Sequence, residues 1–308
     1  MSSDKNNMKN IVVIGSCCVD FTAYSSRLPK PGETLHGTKF TTSYGGKGAN
    51  QCVAAAKLGG NTFMICRLGD DQWGQQYKDY LSKIGVDVTY TSITKDISTG
   101  IAQISVAENG ENQIVIVAGA NDHLSKDDVE IAKEVIRNAD VLVAQLETPL
   151  STTLEAFKLS NGVSWLCISV RRCRFVVPVG ATLPDFGTIK MLIYIKILDI
   201  RELLLFQGAG DAFVGALATY LTSHKDYPMH QIIGAACDIA TMSVLKQGTQ
   251  TSYPTDYKPF TKEYPYKPAP PRRRLQSTSQ RCVELNSGFA VCVCLATFPM
   301  CQTKAGRP

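Results

Sequence analysis

The sequence predicts an α/β protein, in which helices join the strands of a parallel sheet. From Asn10 onward, short apolar runs alternate with segments of helical periodicity, as is typical of this fold class. The 308-residue chain is also 44% hydrophobic and 19% charged, which supplies enough apolar side chains for one large core or two modest ones. This composition excludes a disordered chain, a collagen and a coiled coil as descriptions of the whole protein.

The first four elements follow from apolar runs and from the glycines that bound them. Residues 11–15, Ile-Val-Val-Ile-Gly, form a short apolar run that indicates a buried strand. A helix is predicted over 49–58, where apolar residues recur at helical spacing and a Gly-Gly pair follows. Residues 61–69 then predict a second strand, and residues 70–84 predict a helix that ends at the next glycine.

A hairpin interrupts this alternation. The segments 100–107 and 112–118 are rich in β-formers, and the turn sequence Glu-Asn-Gly-Glu at 108–111 joins them. The alternation then resumes with a predicted helix over 127–138 and a predicted strand over 140–147. An inserted hairpin of this kind commonly covers a binding site.

Two later segments lack these patterns. Residues 163–206 contain no Asn, Gln or His and only three acidic side chains, and within them only 189–198 indicates a buried strand or helix. Four prolines within 265–271, followed by three arginines at 272–274, are typical of an extended linker. We therefore predict a folded domain over 10–262, a divergent and shortened stretch within it at 163–207, and disordered ends at 1–9 and 263–308.

The charge balance gives no reason to expect a nucleic-acid partner. The net charge is +5, but the last 51 residues alone hold nine basic and two acidic side chains, so the rest of the chain is near neutral. Charged residues interrupt the most apolar stretches, which leaves no run of the roughly 18 apolar residues that a membrane span needs. The N-terminus lacks the apolar segment of a secretion signal. We expect a soluble protein of the cytoplasm, with the nucleus as a second compartment, whose eleven cysteines are thiols.

The first candidate site is a glycine-rich loop at the start of the first predicted helix. Gly45, Gly46 and Gly48 let the backbone approach a ligand closely, and free N–H groups at a helix start favour anionic or oxygen-rich groups. A tight strand-to-helix turn explains the glycines equally well. Lys47 and Asn50 favour a ligand, because they supply hydrogen-bond donors that a turn does not need.

Two acidic residues are predicted at the ends of strands. Asp20 comes just beyond the first strand, and Glu147 ends the strand at 140–147. In open α/β sheets, ligands bind beyond the carboxyl ends of the strands, where a carboxylate can accept hydrogen bonds from sugar hydroxyls. Each acid is equally compatible with a cap or a turn.

A second glycine motif opens an apolar helix after residue 207. The N–H groups of Ala209, Gly210 and Asp211 can stabilise charge on a transferring phosphoryl group. The Asp211 carboxylate can take the proton from an attacking hydroxyl. An acid in this position also complements the helix dipole, and that structural role has equal weight.

Together, these motifs resemble the ribokinase family of carbohydrate kinases, over residues 10–162 and 208–260. The matching segments, in order, are 32–34 with 36–37, 45–51, 115–121, 145–147, 208–217 and 248–254. The resemblance implies a three-layer fold with a mainly parallel central sheet and a small β-rich lid. It also implies that the lid is the surface of a homodimer.

The resemblance implies a reaction and a set of residues for it. The reaction is transfer of the γ-phosphoryl group of ATP to the 5-hydroxyl of D-ribose. Asp211 is the implied catalytic base, and the amides of Ala209 and Gly210 form the implied anion hole. The implied sugar-binding residues are Asp20, Gly45, Gly46, Lys47, Gly48, Ala49, Asn50, Glu147 and Asp211.

The family also implies cofactors, namely Mg²⁺ with ATP and K⁺ as an activating monovalent cation. The implied nucleotide-binding residues are Gly208, Gly210 and Cys237, the last of which stands where the family usually has Asn. The implied cation loop contains Ser243, Lys246, Gly248 and Ser252.

The chain departs from the family pattern in its middle. Residues 163–207 are shorter than the corresponding family segment, lack its nucleotide motifs, and leave the predicted sheet incomplete. Two further functions are therefore open. One is a sugar or nucleoside kinase of the same fold that acts on another substrate. The other is a catalytically silent isoform that binds sugar or dimerises.

Overall fold

A computed structural model gives the structure of the chain. It describes residues 9–160, 208–255, 257–261, 263 and 264, together with the backbone of five strands between residues 164 and 296. The helices are α1 (Lys47–Lys57), α2 (Gln72–Lys83), α3 (Lys126–Ile131), α4 (Lys133–Arg137), α5 (Leu150–Leu159), α6 (Ala209–Ser223) and α7 (Met229–Ser243). The strands are β1 (Asn10–Ile14), β2 (Cys18–Ser25), β3 (Lys39–Gly45), β4 (Asn61–Gly69), β5 (Thr91–Thr94), β6 (Gly100–Ala107), β7 (Asn112–Val117), β8 (Val141–Gln145), β9 (Ser164–Ser169), β10 (Arg174–Val177), β11 (Lys190–Ile197), β12 (Thr278–Glu284) and β13 (Phe289–Ala296).

The larger sheet is parallel in the half that positions the site. Its strands lie in the order β9-β8-β1-β4-β5, and every neighbouring pair is parallel. Ile11 of β1 pairs with Thr62 of β4 on one side and with Val141 of β8 on the other. The loops that leave β1 and β8 therefore emerge at the same edge of the sheet. The predicted α/β class is confirmed.

Helices cover both faces of this half-sheet, because β1 is apolar on both sides. Ile11 and Val13 are buried in the cluster formed with α1, α2, α6 and α7. Val12 and Ile14 point the opposite way, into the cluster formed with α3, α4 and α5. The alternation follows from the two-residue period of a strand, and it gives the three layers that the family resemblance implies.

A glycine in α6 sets the distance between α6 and α1. A Cβ atom at Gly215 would lie 2.5 Å from both the Cβ of Ala54 and the carbonyl oxygen of Gln51. The two helices can approach this closely only because that position lacks a side chain. The close packing brings the first turn of α6 against the polar residues at the start of α1.

A second sheet of four strands, in the order β3-β2-β6-β7, forms the lid. The predicted hairpin corresponds to β6 and β7, which pair antiparallel. Strands β2 and β3 were not predicted, since their apolar and polar residues follow no clean alternation. Asp20 therefore lies within β2 rather than in the loop beyond β1, which corrects its predicted position: the chain leaves the large sheet after Ile14 and re-enters a strand at Cys18.

The other predicted elements differ from the structure at their boundaries. The helix predicted over 127–138 is two short helices, α3 and α4, which meet at Ala132. The strand predicted over 140–147 ends at Gln145, so Glu147 lies in the following turn. The short strand β5 was not predicted.

The large sheet continues beyond β9, which differs from the predicted incomplete sheet. Strands β10, β11, β13 and β12 extend it in that order, and each neighbouring pair is antiparallel. β11 coincides with the apolar segment 189–198. The divergent segment and the C-terminal segment thus supply the backbone partners that the sequence comparison finds missing.

Several predictions fall outside the described residues. These are the predictions for most of 1–9, for much of the divergent stretch at 163–207 and for most of the end at 263–308. Strands β12 and β13 lie within that end, which was predicted to be disordered, so the prediction is wrong for these two segments. Within the described parts of the chain, no helix combines the length and the apolar character needed to cross a membrane. Five cysteines there are buried free thiols, in agreement with the sequence: Cys17, Cys18, Cys52, Cys66 and Cys237.

Candidate active site

A cavity of about 400 Å³ lies between the lid and the parallel half of the large sheet. The end of β1, the starts of α1 and α6, and the lid strands β6 and β7 form its walls. Seven of the predicted site residues line it, although they are up to 191 positions apart in sequence: Asp20, Gly46, Lys47, Asn50, Glu147, Gly208 and Asp211. The structure thus brings the three separate motifs to one place.

The glycine-rich loop seats the first turn of α1 directly on the β1–β2 connection. Gly46 is the N-cap of α1, with φ of 88°, and a Cβ there would lie 2.6 Å from the backbone nitrogen of Cys18. A Cβ at Gly48 would lie 2.6 Å from the backbone nitrogen of Ser16. The amide of Ala49 donates to the carbonyl of Ser16 at 2.9 Å. The glycines are therefore needed for backbone packing, and this packing holds Lys47 at the cavity.

Lys47 and Glu147 form an ion pair at the cavity wall. The Lys47 ammonium contacts Oε1 of Glu147, and the Lys47 amide donates to Oε2 at 3.3 Å. The hydroxyl of Ser16 also donates to Oε2 of Glu147, at 2.8 Å. Three donors therefore fix the orientation of this carboxylate, and they join the ends of β1 and β8 to the start of α1.

Asp211 lies in the first turn of α6, where its carboxylate accepts two amide hydrogen bonds. Asn50 Nδ2 donates to Oδ2 at 3.0 Å, and Gln51 Nε2 donates to Oδ1 at 2.8 Å. Burial raises the pKa of Asp211 to about 6, although these two hydrogen bonds and the nearby charge of Lys47 oppose the rise. At neutral pH the group is therefore an ionised carboxylate of raised basicity.

Asp20 faces the same cavity from β2. None of the described residues donates a hydrogen bond to its carboxylate. Burial, together with the negative charges of Glu147 and Asp211, raises the pKa of Asp20 to about 7. Its two oxygens are thus acceptors without partners inside the described structure, next to the Lys47 and Asn50 donors.

Replacement of Asp20 by Asn is expected to stabilise the ligand-free protein at alkaline pH. Because the folded-state pKa is raised, the wild-type protein loses stability as the pH rises from about 4 to about 7. Asn carries no charge to desolvate, so we expect Asp20→Asn to melt roughly 5 °C higher at pH 8 and this difference to shrink toward pH 4. Thermal denaturation at both pH values measures it, with the exposed Asp226→Asn as control. Equal melting temperatures of Asp20→Asn and wild type at pH 8 would contradict the expectation.

Some residues that line the cavity were not predicted from the sequence as site residues. Asn121 clamps the lid to the β1–β2 connection: its Oδ1 accepts from the Cys17 amide at 2.8 Å, and its Nδ2 donates to the Cys17 carbonyl at 2.8 Å. It lies in the matched segment 115–121, which was the available signal. The remaining missed residues are Ser16, Cys18, Thr249 and the lid residues Ala102, Ile104, Ile114, Ile116 and Ala118.

Comparison with known proteins decides the family. A model of the pfkB family of carbohydrate kinases matches residues 8–160. The ribokinase of Mus musculus is 33% identical over 308 aligned residues, which cover 79% of this chain and 91% of the mouse protein. The chain belongs to the ribokinase family of carbohydrate kinases. The resemblance seen in the motifs is thereby confirmed for the family, the fold and the enzyme class, a phosphotransferase.

Further relatives within the ribokinase family differ in their named substrates. The deoxyribokinase of Salmonella typhi is 30% identical, with 80% of this chain and 96% of that protein covered. The structure of Arabidopsis thaliana ribokinase complexed with ribose and ATP aligns with a TM-score of 0.62 at 24% identity, over 80% of this chain and 96% of the plant chain. That structural likeness supports the fold, and the relatives together leave the sugar open.

The three residues that were predicted to bind the nucleotide lie in different places. Gly208 lies on the cavity wall, and Gly210 follows it in the first turn of α6, where a Cβ would meet no atom within 4 Å. Cys237 is buried in the core on α7, away from this cavity, and burial raises the pKa of its thiol. Cys237 is thus not among the residues that line this cavity, and its predicted contact with the nucleotide stays a prediction.

The described residues do not fit a protein-held Mg²⁺ site. No group of three acidic, His or Cys side chains that could hold a metal ion occurs among them. Glu147 is paired with the Lys47 ammonium, and Asp211 accepts hydrogen bonds from Asn50 and Gln51.

Two residues of the predicted monovalent-cation loop donate hydrogen bonds within the protein. Ser243 Oγ donates to the Ala240 carbonyl and Ser252 Oγ to the Thr249 carbonyl, both at 2.7 Å. Lys57 Nζ donates to the Gln250 carbonyl at 2.6 Å. A second cation at that carbonyl would compete with the Lys57 ammonium. The other predicted members of the loop are Lys246 and Gly248.

Proposed function

We propose that the protein phosphorylates D-ribose at O5, with ATP as the phosphoryl donor. The observation that carries the proposal is the position of Asp211, a partly buried carboxylate at the start of a helix, in one cavity with Asp20, Lys47, Asn50 and Glu147. The volume of about 400 Å³ falls within the range of pockets that take small ligands.

The polar groups of the cavity suit a pentose. Asp20 and Glu147 offer carboxylate oxygens to sugar hydroxyls, and the side chains of Lys47 and Asn50 offer donors. The inward-facing lid residues Ala102, Ile104 and Ile116 complete the opposite wall with apolar surface, which suits the C–H groups of a sugar ring. The arrangement thus orients a polyhydroxylated ring with its edge toward the sheet.

The chemical step follows from the start of α6. The attacking oxygen forms a bond to the γ-phosphorus as the bond to ADP breaks, and the hydroxyl proton passes to the Asp211 carboxylate. The amides of Ala209, Gly210 and Asp211 precede the first intrahelical bond, from Ala212 to Gly208, so they are free to stabilise the developing phosphoryl charge. Mg²⁺ bound with ATP would neutralise phosphate charge.

An assay of ADP release with different sugars tests the proposal. Purified full-length protein is mixed with ATP, Mg²⁺, K⁺ and either ribose, 2-deoxyribose or a nucleoside. We expect the highest kcat/KM with ribose. Faster turnover of 2-deoxyribose would favour deoxyribokinase activity, which the Salmonella relative motivates. Binding of ribose in a thermal-shift measurement without ADP release would instead support the silent sugar-binding function.

Replacement of Gly210 by Ala is expected to separate catalysis from stability. The added Cβ meets no protein atom within 4 Å, and Ala favours a helix over Gly by about 0.5–1 kcal/mol. It would, however, project from the turn whose amides face the transferred group. We expect an unchanged or higher melting temperature and a kcat lower by about 10-fold to 100-fold. Unchanged kcat would show that the phosphoryl group does not pass this turn.

The outer surface of the lid supports a homodimer as part of the proposal. On β7, Val115 and Val117 alternate with the cavity residues and are 63% and 53% exposed. Exposed apolar side chains that cluster in this way commonly mark a protein interface. Ile114 and Ile116 are exposed as well, but they line the cavity and so belong to the inner face of the lid.

A further inference from the structure

The Asp211 carboxylate is the end point of two chains of side-chain amides that come from distant parts of the sequence. In the first chain, Gln145 Nε2 donates to Gln51 Oε1 at 2.6 Å, and Gln51 Nε2 donates to Asp211 Oδ1 at 2.8 Å. In the second, Gln250 Nε2 donates to Asn50 Oδ1 at 2.9 Å, and Asn50 Nδ2 donates to Asp211 Oδ2 at 3.0 Å. Every amide thus directs its NH₂ group toward the carboxylate.

Chemistry fixes the direction of both chains. An ionised carboxylate only accepts hydrogen bonds, so Gln51 and Asn50 must turn their NH₂ groups to Asp211 and their carbonyl oxygens away. Those oxygens then require donors, which Gln145 and Gln250 supply. The second chain is also fixed at its far end: the Tyr77 hydroxyl donates to the Gly45 carbonyl at 2.6 Å, so it accepts from Gln250 Nε2, at 2.8 Å.

Among the residues that the structure describes, this orientation of the amides leaves one carbonyl oxygen unpaired at the outer end of each chain. The Oε1 atoms of Gln145 and Gln250 are buried, and no residue in the described part of the chain donates a hydrogen bond to either atom. An unpaired buried carbonyl destabilises a protein. Packing alone therefore does not explain why a glutamine stands at the outer end of each chain. Gln51 and Gln145 are fully enclosed and do not line the cavity, so neither can serve as a direct sugar contact.

We propose that Gln51 and Gln145 are positioning residues that, in parallel with the Asn50–Gln250 pair, keep the Asp211 carboxylate ionised and aimed into the cavity. The inference rests on the proposed function, in which Asp211 is the base. Gln145 acts on Asp211 only through Gln51, because the two residues are joined by a single directed hydrogen bond.

The charged groups around Asp211 act in opposite directions. Lys47 on α1 lowers the pKa of Asp211, whereas Glu147 after β8 raises it. Asp20 on β2 is a second negative charge in the same cavity, and the Tyr253 hydroxyl lies beside the start of α6, where it donates to the Gly208 carbonyl at 3.2 Å. The two amide bonds lower the pKa of Asp211 against the effect of burial.

The test titrates Asp211 by carbon-13 NMR in full-length protein labelled at the aspartate carboxyl carbon. The Asp211 signal is identified by its loss in Asp211→Asn. We expect Gln51→Met to raise the titration midpoint by about one pH unit, the effect of one hydrogen bond to a charged group, and Gln145→Met to raise it by less. The double variant should shift no further than Gln51→Met, because Gln145 acts through Gln51.

Gln75→Met is the matched control. Gln75 Nε2 donates to the Asp79 carboxylate at 2.8 Å on the exposed surface of α2, so this variant removes the same kind of contact far from the cavity and should leave the Asp211 midpoint unchanged. An unshifted midpoint in Gln51→Met, or fully additive shifts in the double variant, would overturn the proposal. Where Gln145→Met does not fold, Gln250→Met tests the other chain and should also raise the midpoint.

The titration needs neither substrate nor turnover. If the variants raise the midpoint but the protein does not phosphorylate ribose, the positioning role of the amide chains is supported and the proposed function is rejected. Where turnover occurs, the acidic limb of the kcat/KM profile should move to higher pH together with the NMR midpoint in each variant.

Discussion

Asp211→Asn is expected to lower kcat by about two to four orders of magnitude, the usual contribution of a general base. The substituted amide cannot take the proton of the attacking hydroxyl, whereas the proposed sugar-binding groups of Asp20, Lys47 and Glu147 remain. The Kd for ribose should therefore change only a few-fold. Release of ADP measures kcat, and calorimetric titration with ribose measures binding.

The pH dependence of the wild-type enzyme provides a second reading of the same residue. Because the pKa of Asp211 is raised to about 6, kcat/KM should fall as the pH drops below about 6 and the carboxylate becomes protonated. The exposed Asp226→Asn serves as the control variant and should keep full activity. More than about a tenth of wild-type kcat in Asp211→Asn would exclude this carboxylate as the base.

Gly46→Ala is expected to remove most of the affinity for ribose. A Cβ at this position would lie 2.6 Å from the Cys18 nitrogen and 2.8 Å from Cys17 Cα, and neither backbone atom can move without displacing the β1–β2 connection. The start of α1 must shift instead, and Lys47 and Asn50 shift with it. We expect at least about a 100-fold weaker Kd, as is common when binding groups move by an ångström, and a lower melting temperature.

Gly59→Ala separates steric overlap from backbone strain. Gly59 follows the other end of α1 with φ of 85°, close to the 88° of Gly46, but a Cβ there meets no atom within 4 Å. Both variants therefore carry the same strain of a left-handed residue, and only Gly46→Ala adds a clash. Equal losses of ribose affinity in the two variants would mean that the close approach of α1 to the β1–β2 connection does not position the binding groups.

The half of the fold that surrounds the cavity was largely predictable, because its signals are local. The apolar run at 11–15 and the Gly-Gly pair after 49–58 each determine one element from neighbouring residues. Strand β2 was not predictable in this way: it pairs with β6, more than 80 positions later in the chain. Asp20 was consequently placed in a loop, although it was predicted to lie near the carboxyl ends of the strands, where the cavity is.

The site shows the same division between local and long-range information. Asp211 and the glycine loop were found from residue type and spacing at helix starts. The contacts that control Asp211 join Gln51 to a residue 160 positions away and Asn50 to one 200 positions away. No local pattern marks Gln145 or Gln250 as partners, since a buried glutamine gains its role only from what the fold places beside it.

Phosphorus NMR of the complete reaction tests the central claim most directly. The full-length protein is incubated with ATP, Mg²⁺ and ribose, in parallel with Asp211→Asn. The proposed function predicts a phosphate monoester on O5 of ribose that grows in equal amount with ADP, and no such signal from the variant. Formation of ADP without a sugar phosphate, or ribose binding with no reaction, would contradict the assignment of Asp211 as the base of a ribose kinase.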